Sequence, residues 1–274
     1  DTRSGSILSA ALHSETFQEV LVGGTAPDRR VESPVFCGSE KNLLLRLSEL
    51  IRHQDPDVLT GWNFVDFDLT VLQQRARALN PPLELGRVPG PIRIQRDSSS
   101  WSASRADLAG RMVLDGIQLL KGAFVRLEDY SLETAARTLL GEGKTISGPG
   151  RHHEIERLFR EDMPAFVAYN LADARLVTRI LATTRLVDLA VERSLLTGMP
   201  LDRVSSSIAS FDFLYLIELR RRGRVAPRVQ GRATEPTAGG AVLEPIPGLH
   251  DRILGFDFKS LYPSLILTFN LDPA

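Results

Sequence analysis

Val58-Leu59-Thr60-Gly61-Trp62-Asn63-Phe64-Val65-Asp66-Phe67-Asp68 is the stretch on which the fold turns. Val58-Leu59 begins a buried strand after a turn at Asp55-Pro56. A helix then starts near Asp66 and runs to about Leu79, where Asn80-Pro81-Pro82 ends it. The same alternation extends both ways. Upstream, residues 7 to 12 and 18 to 22 read as short strands, with a turn-rich stretch from Gly23 to Asp28. Lys41 to His53 carries apolar residues at 43, 44, 47, 50 and 51, which is a helical stripe. Downstream, Pro89 to Ala106 mixes an extended run with serines and reads as an exposed hairpin or flap. Met112-Val113-Leu114 reads as a central strand leading into a helix from Asp115 to Phe124.

Beyond that point the pattern is helical. Leu132 to Leu140 is a helix with Gly141 at its C′ position, and His152 to Arg160 is a polar helix. Asp162 caps a further helix, with Pro164 in its first turn, that runs through Ile180 or beyond. Strands alternating with helices predict an α/β layer fold for residues 1 to about 190. A long amphipathic helix from Ser205 to Arg222 leads into an arginine-, glycine- and proline-rich connector from Gly223 to Gly248. A last strand is expected over Arg252 to Phe258, followed by a helix beginning at Leu261-Tyr262-Pro263.

The 274 residues, 43% hydrophobic and 24% charged, exclude a disordered or collagen-like chain, and no apolar run is long enough to span a membrane. The start, Asp1-Thr2-Arg3-Ser4, shows no secretory leader, and the single cysteine, Cys37, excludes a disulfide framework. These features predict a cytoplasmic protein. Formal net charge is −1, yet six arginines and no acid lie between Leu219 and Arg232, so an otherwise acidic body carries a basic strip. That pairing suits a metal-dependent enzyme acting on phosphates, or a solvated helix end.

Three constellations carry chemistry. Asp66 and Asp68 lie at a strand-to-helix transition, where a carboxylate either caps the helix or faces a cleft. Tyr169 and Asp173 are four apart on a helix, so phenol and carboxylate project from one face. The phenol can orient a water held by a metal on the carboxylate. Asp257 ends the last apolar strand, where burying a carboxylate costs solvation unless a cation compensates, and the following turn offers N–H groups to phosphate. Other residues read more plainly. Asp115 is a helix cap or core support before it is an extra ligand, and His152-His153 is a solvated face. Trp62 belongs to the core, and Trp101 in the flap is open to base stacking.

Taken together, the three stretches resemble the family B DNA polymerases, and within them the bacterial branch. Phe256-Asp257-Phe258-Lys259-Ser260-Leu261-Tyr262-Pro263-Ser264 is similar to the first palm motif, Asp-x-x-Ser-Leu-Tyr-Pro-Ser. Asn63 to Asp68 is similar to the second exonuclease motif, and Tyr169 to Asp173 to the third. Asp55 to Val58, Leu139 to Lys144, Gly198 to Arg203 and Val225 to Pro227 resemble the bacterial branch, so the likeness covers essentially the whole chain.

The resemblance implies a ribonuclease-H-like 3′→5′ exonuclease domain over residues 1–190, a mixed sheet flanked by helices. A helical and hinge connector over 191–250 and the start of a polymerase palm over 251–274 would follow. Asp68 and Asp173 would be metal ligands, and Tyr169 would orient the nucleophilic water. Asn63 and Phe67 would line the groove for a single-stranded 3′ end. Asp257 would bind catalytic magnesium, Phe258, Lys259, Ser260 and Leu261 would touch a nucleoside triphosphate, and Tyr262 would stack under its sugar. Gly239 and Gly240 would be the glycine pair of the hinge motif on DNA, although Thr237 stands where that motif has a tyrosine. The implied cofactor is Mg²⁺, with Mn²⁺ as substitute, because hard oxygen ligands suit both. The implied partners are single-stranded and primer–template DNA and deoxynucleoside triphosphates, in a bacterial, nucleoid-associated setting. A sliding clamp is not readable from these residues.

The family's first exonuclease motif, Asp-x-Glu, has no match ahead of the strand at residues 7 to 12, and the later palm motifs are missing. The expectation is therefore a fragment that binds Mg²⁺ weakly and does not polymerise, while its parent polymerises and proofreads. The competing expectation is an inert scaffold or DNA-holding module.

Overall fold

A computed structural model describes residues 2–3, 5–25, 34–96, 104–143, 151–226 and 241–271. The chain divides into two compact units, Asp1–Phe213 and Leu214–Ala274.

The first unit opens with strands that turn on themselves. β1 (Thr2–Arg3) pairs antiparallel with β2 (Ser6–Ile7). β3 (Ser9–His13) pairs antiparallel with β4 (Gln18–Val22) in the register Ser9↔Val22 to His13↔Gln18. β5 (Val35–Phe36) adds to β4 in parallel. The predicted strand at residues 7 to 12 is thus two strands broken at Leu8. α1 (Glu40–Gln54) follows, capped by Ser39, whose hydroxyl accepts from the Asn42 N–H at 3.2 Å. Its stripe of Leu43, Leu44, Leu47, Leu50 and Ile51 is buried, as the spacing requires.

β6 (Val58–Gly61) then runs parallel to β9 (Met112–Asp115), from Val58↔Met112 to Gly61↔Asp115. Between them the chain makes a six-residue π-type turn, Phe64–Leu69, then α2 (Thr70–Leu79), then the antiparallel hairpin of β7 (Arg93–Gln95) and β8 (Arg105–Asp107). Helical structure therefore begins two residues before Asp66. The helices α3 (Gly116–Gly122), α4 (Leu132–Leu140), α5 (Arg151–Glu161) and α6 (Met163–Thr184) follow. Gly141 takes the left-handed conformation (φ 72°) that ends α4, and Asp162 caps α6 by accepting from the Ala165 N–H at 3.0 Å. Arg185, also left-handed at φ 51°, separates α6 from α7 (Leu186–Thr197), which periodicity did not distinguish.

Antiparallel and parallel pairs flanked by helices make this unit mixed α/β. One apolar cluster lies between the early strands, α1 and α2. A second gathers Leu114, α3, α4 and the middle of α6, and a third joins Leu8 to α5 and the head of α6. Two ion pairs brace the first cluster. Glu40 takes a bidentate bond from Arg75, both contacts at 2.6 Å, and also accepts the Ile7 N–H at 2.9 Å, so one carboxylate ties α1, α2 and β2. Arg111, almost wholly buried, donates to the carbonyls of Leu85, Pro56 and Ile51 and lies 3.0 Å from Asp55.

α8 (Ser207–Arg221) spans the division between the units, and α9 (Leu261–Phe269) is the helix of the second. The expected strand over Arg252 to Phe258 is not formed: these residues follow no ladder, and Phe256 and Phe258 are 92% and 76% exposed. An apolar run has strand propensity, but a strand needs a neighbour to accept its N–H groups, and none pairs with it among the described residues. Trp101, the side chain of His152, most of the flap serines, Arg228 and Arg232 lie outside the described residues, as does much of the turn from Gly23 to Asp28.

Arg111→Ala would leave three carbonyls without their buried donor and should cost about 3–5 kcal/mol of unfolding free energy, measurable by urea denaturation. Burial raises the Glu40 carboxyl, but the bonds from Arg75 and the Ile7 amide outweigh it and hold the pKa below its ordinary 4.5. This contribution is complete above pH 4.5 and is lost as pH falls through the lower folded-state value. Glu40→Gln should therefore flatten the acid limb of stability against pH.

Candidate functional site

The parallel register of β6 and β9 brings Gly61 opposite Asp115, and both strands end there. At Gly61 a Cβ would stand 2.8 Å from the Phe64 ring, so only glycine lets the chain fold back so tightly. Asn63 is left-handed (φ 58°, ψ 34°), and its carbonyl accepts from the Phe67 N–H at 2.9 Å. Asp115 anchors the result. One carboxylate oxygen accepts the Val65 N–H at 3.3 Å, and the other accepts the Ile117 N–H at 2.9 Å. It thus holds the head of the π-type turn and caps α3 together. Thr70 closes the turn by donating to the Val65 carbonyl at 3.0 Å.

This frame exposes Asn63, leaves Phe67 49% exposed and half-buries Asp68. Burial pushes the Asp68 pKa up to about 6, and the negative charge of Asp115 adds to the shift. Burial also raises Asp115, against the backbone N–H groups it accepts. The charge of Asp115 thus bears on Asp68, while both Asp115 oxygens are taken up by backbone N–H groups. Asp66 points to solvent.

Tyr169 and Asp173 lie one turn apart on α6. Tyr169 is 2% exposed, packed with Leu8 and Phe166 in the third cluster, while Asp173 is half-buried. α6 is fastened to the early strands by an Asn170–Ser9 side-chain bond, by His13 and Thr178 at 3.0 Å, and by Arg175 donating to Gln18 at 2.5 Å. The Asp68 and Asp173 segments are thus held by different strands. Among the described residues no three acidic, histidine or cysteine side chains converge on one metal position. The oxygen-only donors at Asp68 and Asp173 fit a hard cation by type.

In the second unit Asp257, Phe258, Lys259, Ser260 and Tyr262 are all exposed, so the expected burial of Asp257 at a strand end does not hold. Ser260 is left-handed (φ 55°), and its carbonyl accepts the Ser264 N–H at 2.9 Å as α9 begins at Leu261. Gly239 and Gly240 lie outside the described residues. What sequence reasoning missed is the double anchoring by Asp115 and the hydroxyl of Thr70. The position of Asp115 after an apolar strand signalled its cap on α3 but not its grip on Val65.

Residues 17–135 match the exonuclease domain of DNA polymerase family B, and residues 203–274 match DNA polymerase family B itself. The exonuclease domain of that family is ribonuclease-H-like, which agrees with the mixed α/β unit. DNA polymerase II of Escherichia coli (strain K12) is 42% identical over 240 residues, 87% of this chain and 31% of that protein. The DNA-directed DNA polymerase of Escherichia phage RB69 is 27% identical over 259 residues, 92% of this chain and 28% of that protein. The DNA polymerase delta catalytic subunit of Bos taurus is 33% identical over 244 residues, 85% of this chain and 22% of that protein. The chain thus spans about a third or less of the length of these relatives. Enzymes of this family depend on divalent metals and act on DNA and nucleotides. With exonuclease-domain sequence around the Asn63–Asp68 turn and polymerase-domain sequence around Asp257, the chain belongs to DNA polymerase family B.

Proposed function

We propose that this chain supplies the 3′→5′ proofreading exonuclease, and the opening segment of the palm, to a bacterial DNA polymerase II-like enzyme. The observation that carries the reading is Asp68. It is a half-buried carboxylate with raised proton affinity, on a turn fixed by the ends of two parallel strands, inside the stretch that matches the exonuclease domain. The domain limits that go with it are residues 1–190 for the exonuclease, 191–250 for the connector and 251–274 for the palm segment.

In this reading Asp68 and Asp173 would hold Mg²⁺, which would supply Lewis acidity at the scissile phosphate. The chain's own residues do the rest. Asn63 and Phe67, both open to solvent, bind the unpaired 3′ end, with the Phe67 ring offering a stacking face to a base. Tyr169 lies one helical turn before Asp173 and orients the attacking water through its hydroxyl. Its burial fixes the ring and, with it, the position of the hydroxyl oxygen. Asp257 would serve a second metal in the complete palm, with Phe258 to Tyr262 against the deoxynucleoside triphosphate and Gly239 and Gly240 on primer–template DNA. A nucleoid-associated cytoplasmic location accords with these substrates, and no helix among the described residues is long and apolar enough to cross a membrane.

The test is degradation of a 5′-labelled single-stranded DNA with Mg²⁺ or Mn²⁺. It compares the chain with a form extended upstream along its own reading frame. Digestion from the 3′ end is expected of the extended form. Asp68→Ala and Asp173→Ala should each lower it by at least about 100-fold, since the loss of even a group supporting a metal ligand costs 10–100-fold. Failure of both forms to digest would leave the inert DNA-holding module. Phe67→Ala should weaken single-strand binding by about 1–3 kcal/mol and raise KM more than it lowers kcat. An unchanged KM would remove Phe67 from the substrate path.

A further inference from the structure

A groove runs beside the candidate site, between α2 and the base of the β7–β8 hairpin. Its cavity of about 300 Å³ is lined by Thr70, Gln73, Gln74, Arg77, Ile94 and Arg96. Thr70, Gln73, Gln74 and Arg77 fall at i, i+3, i+4 and i+7 of one helix and so share a face. The lining contains two guanidinium groups, two amides and a hydroxyl, and no carboxylate. Glu40 of α1 is already claimed by Arg75, which lies outside the groove. Among the described residues neither Arg77 nor Arg96 is ion-paired, and both are exposed. Other surface arginines of this unit are paired: Arg46 with Glu49, Arg52 with Glu84, and Arg87 with Asp55 and Asp57.

The groove is also built. Gln73 donates to the Ile92 carbonyl at 2.7 Å, which fixes the hairpin base to α2. Arg96 donates to the Thr70 hydroxyl at 3.3 Å, and that hydroxyl donates to the Val65 carbonyl of the turn carrying Asp68. Thr70 is therefore where groove and candidate site meet. Phe67 stands one helical turn ahead of it with its ring half exposed, and Arg77 lies about 10 Å beyond Thr70 along the helix axis. An aromatic face followed by spaced cations and amide donors is the arrangement that takes bases and phosphates of one strand.

We infer that the α2–β7 groove binds the phosphodiester backbone of single-stranded DNA, with Arg77 and Arg96 each neutralising one phosphate of the strand whose 3′ end reaches Asp68. This inference rests on the exonuclease reading for its direction, but its binding test does not need catalysis. Fluorescence anisotropy of a 5′-fluorescein (dT)12 probe is measured with the 274-residue chain in EDTA over a series of KCl concentrations. Arg77→Ala/Arg96→Ala should lower the slope of log K against log[KCl] by about 1.4, at about 0.7 per phosphate contact on single strands. The slope should be kept by Arg77→Lys/Arg96→Lys and by Arg46→Ala, which removes a charge on α1. Melting temperatures of the variants should match the parent, since the substituted side chains are exposed. A slope for Arg77→Ala/Arg96→Ala equal to that for Arg46→Ala would overturn the inference, as would no binding of the probe by the parent chain at low salt. If the slope falls as expected but no form digests DNA, the groove stands and the exonuclease reading fails.

Discussion

Asp115 is a charge placed where two chain segments begin, and the geometry of the candidate site depends on it. β6 and β9 end side by side, so the segments that leave them start with N–H groups pointing into the same space. A single carboxylate accepts from both, at Val65 and at Ile117. Without it, two buried donors would go unsatisfied at once, and the π-type turn bearing Asn63, Phe67 and Asp68 would lose its fixed angle to the sheet. The glycines next to it follow from this crowding. A Cβ on Gly61 would meet Phe64, and one on Gly116 would come within 3.0 Å of Trp62.

The same burial that makes the anchor rigid makes the site electrostatically tense. Asp68 and Asp115 are both raised by desolvation, and each ionises less readily than a surface aspartate. The rigidity of the anchor and the raised proton affinity of both carboxylates thus have one origin, their burial. The adjoining groove has the opposite character, with the guanidinium groups of Arg77 on α2 and Arg96 just past β7 exposed along it.

The local features of the fold were legible because they are set by a few adjacent residues. The α1 stripe, the Asp162 cap on α6 and Gly141 ending α4 each follow from side chains within one or two turns. Long-range pairings were not legible. Nothing near Val58 indicates that its partner is Met112, and Arg252 to Phe258 has strand composition without a strand's neighbour. The break at Leu8 and the early start of the turn at Phe64 come from packing against distant elements. At the candidate site the residue types were readable from motif resemblance, as were the positions of Asp68 and Asp173 on separate segments. The burial of Tyr169 and the exposure of Asp257 were not, because both depend on what packs around them.

The central claim is that Asp68 and Asp173, held by different strands, serve one divalent cation. Mn²⁺ binding, followed by the free-ion paramagnetic signal, tests it in a double-mutant cycle of Asp68→Ala, Asp173→Ala and the two together. A shared ion predicts strong non-additivity: either single substitution removes most of the affinity, and the double variant loses little more. Independent losses that sum in the double variant would place the two carboxylates on separate ions or none, and would contradict the site described above.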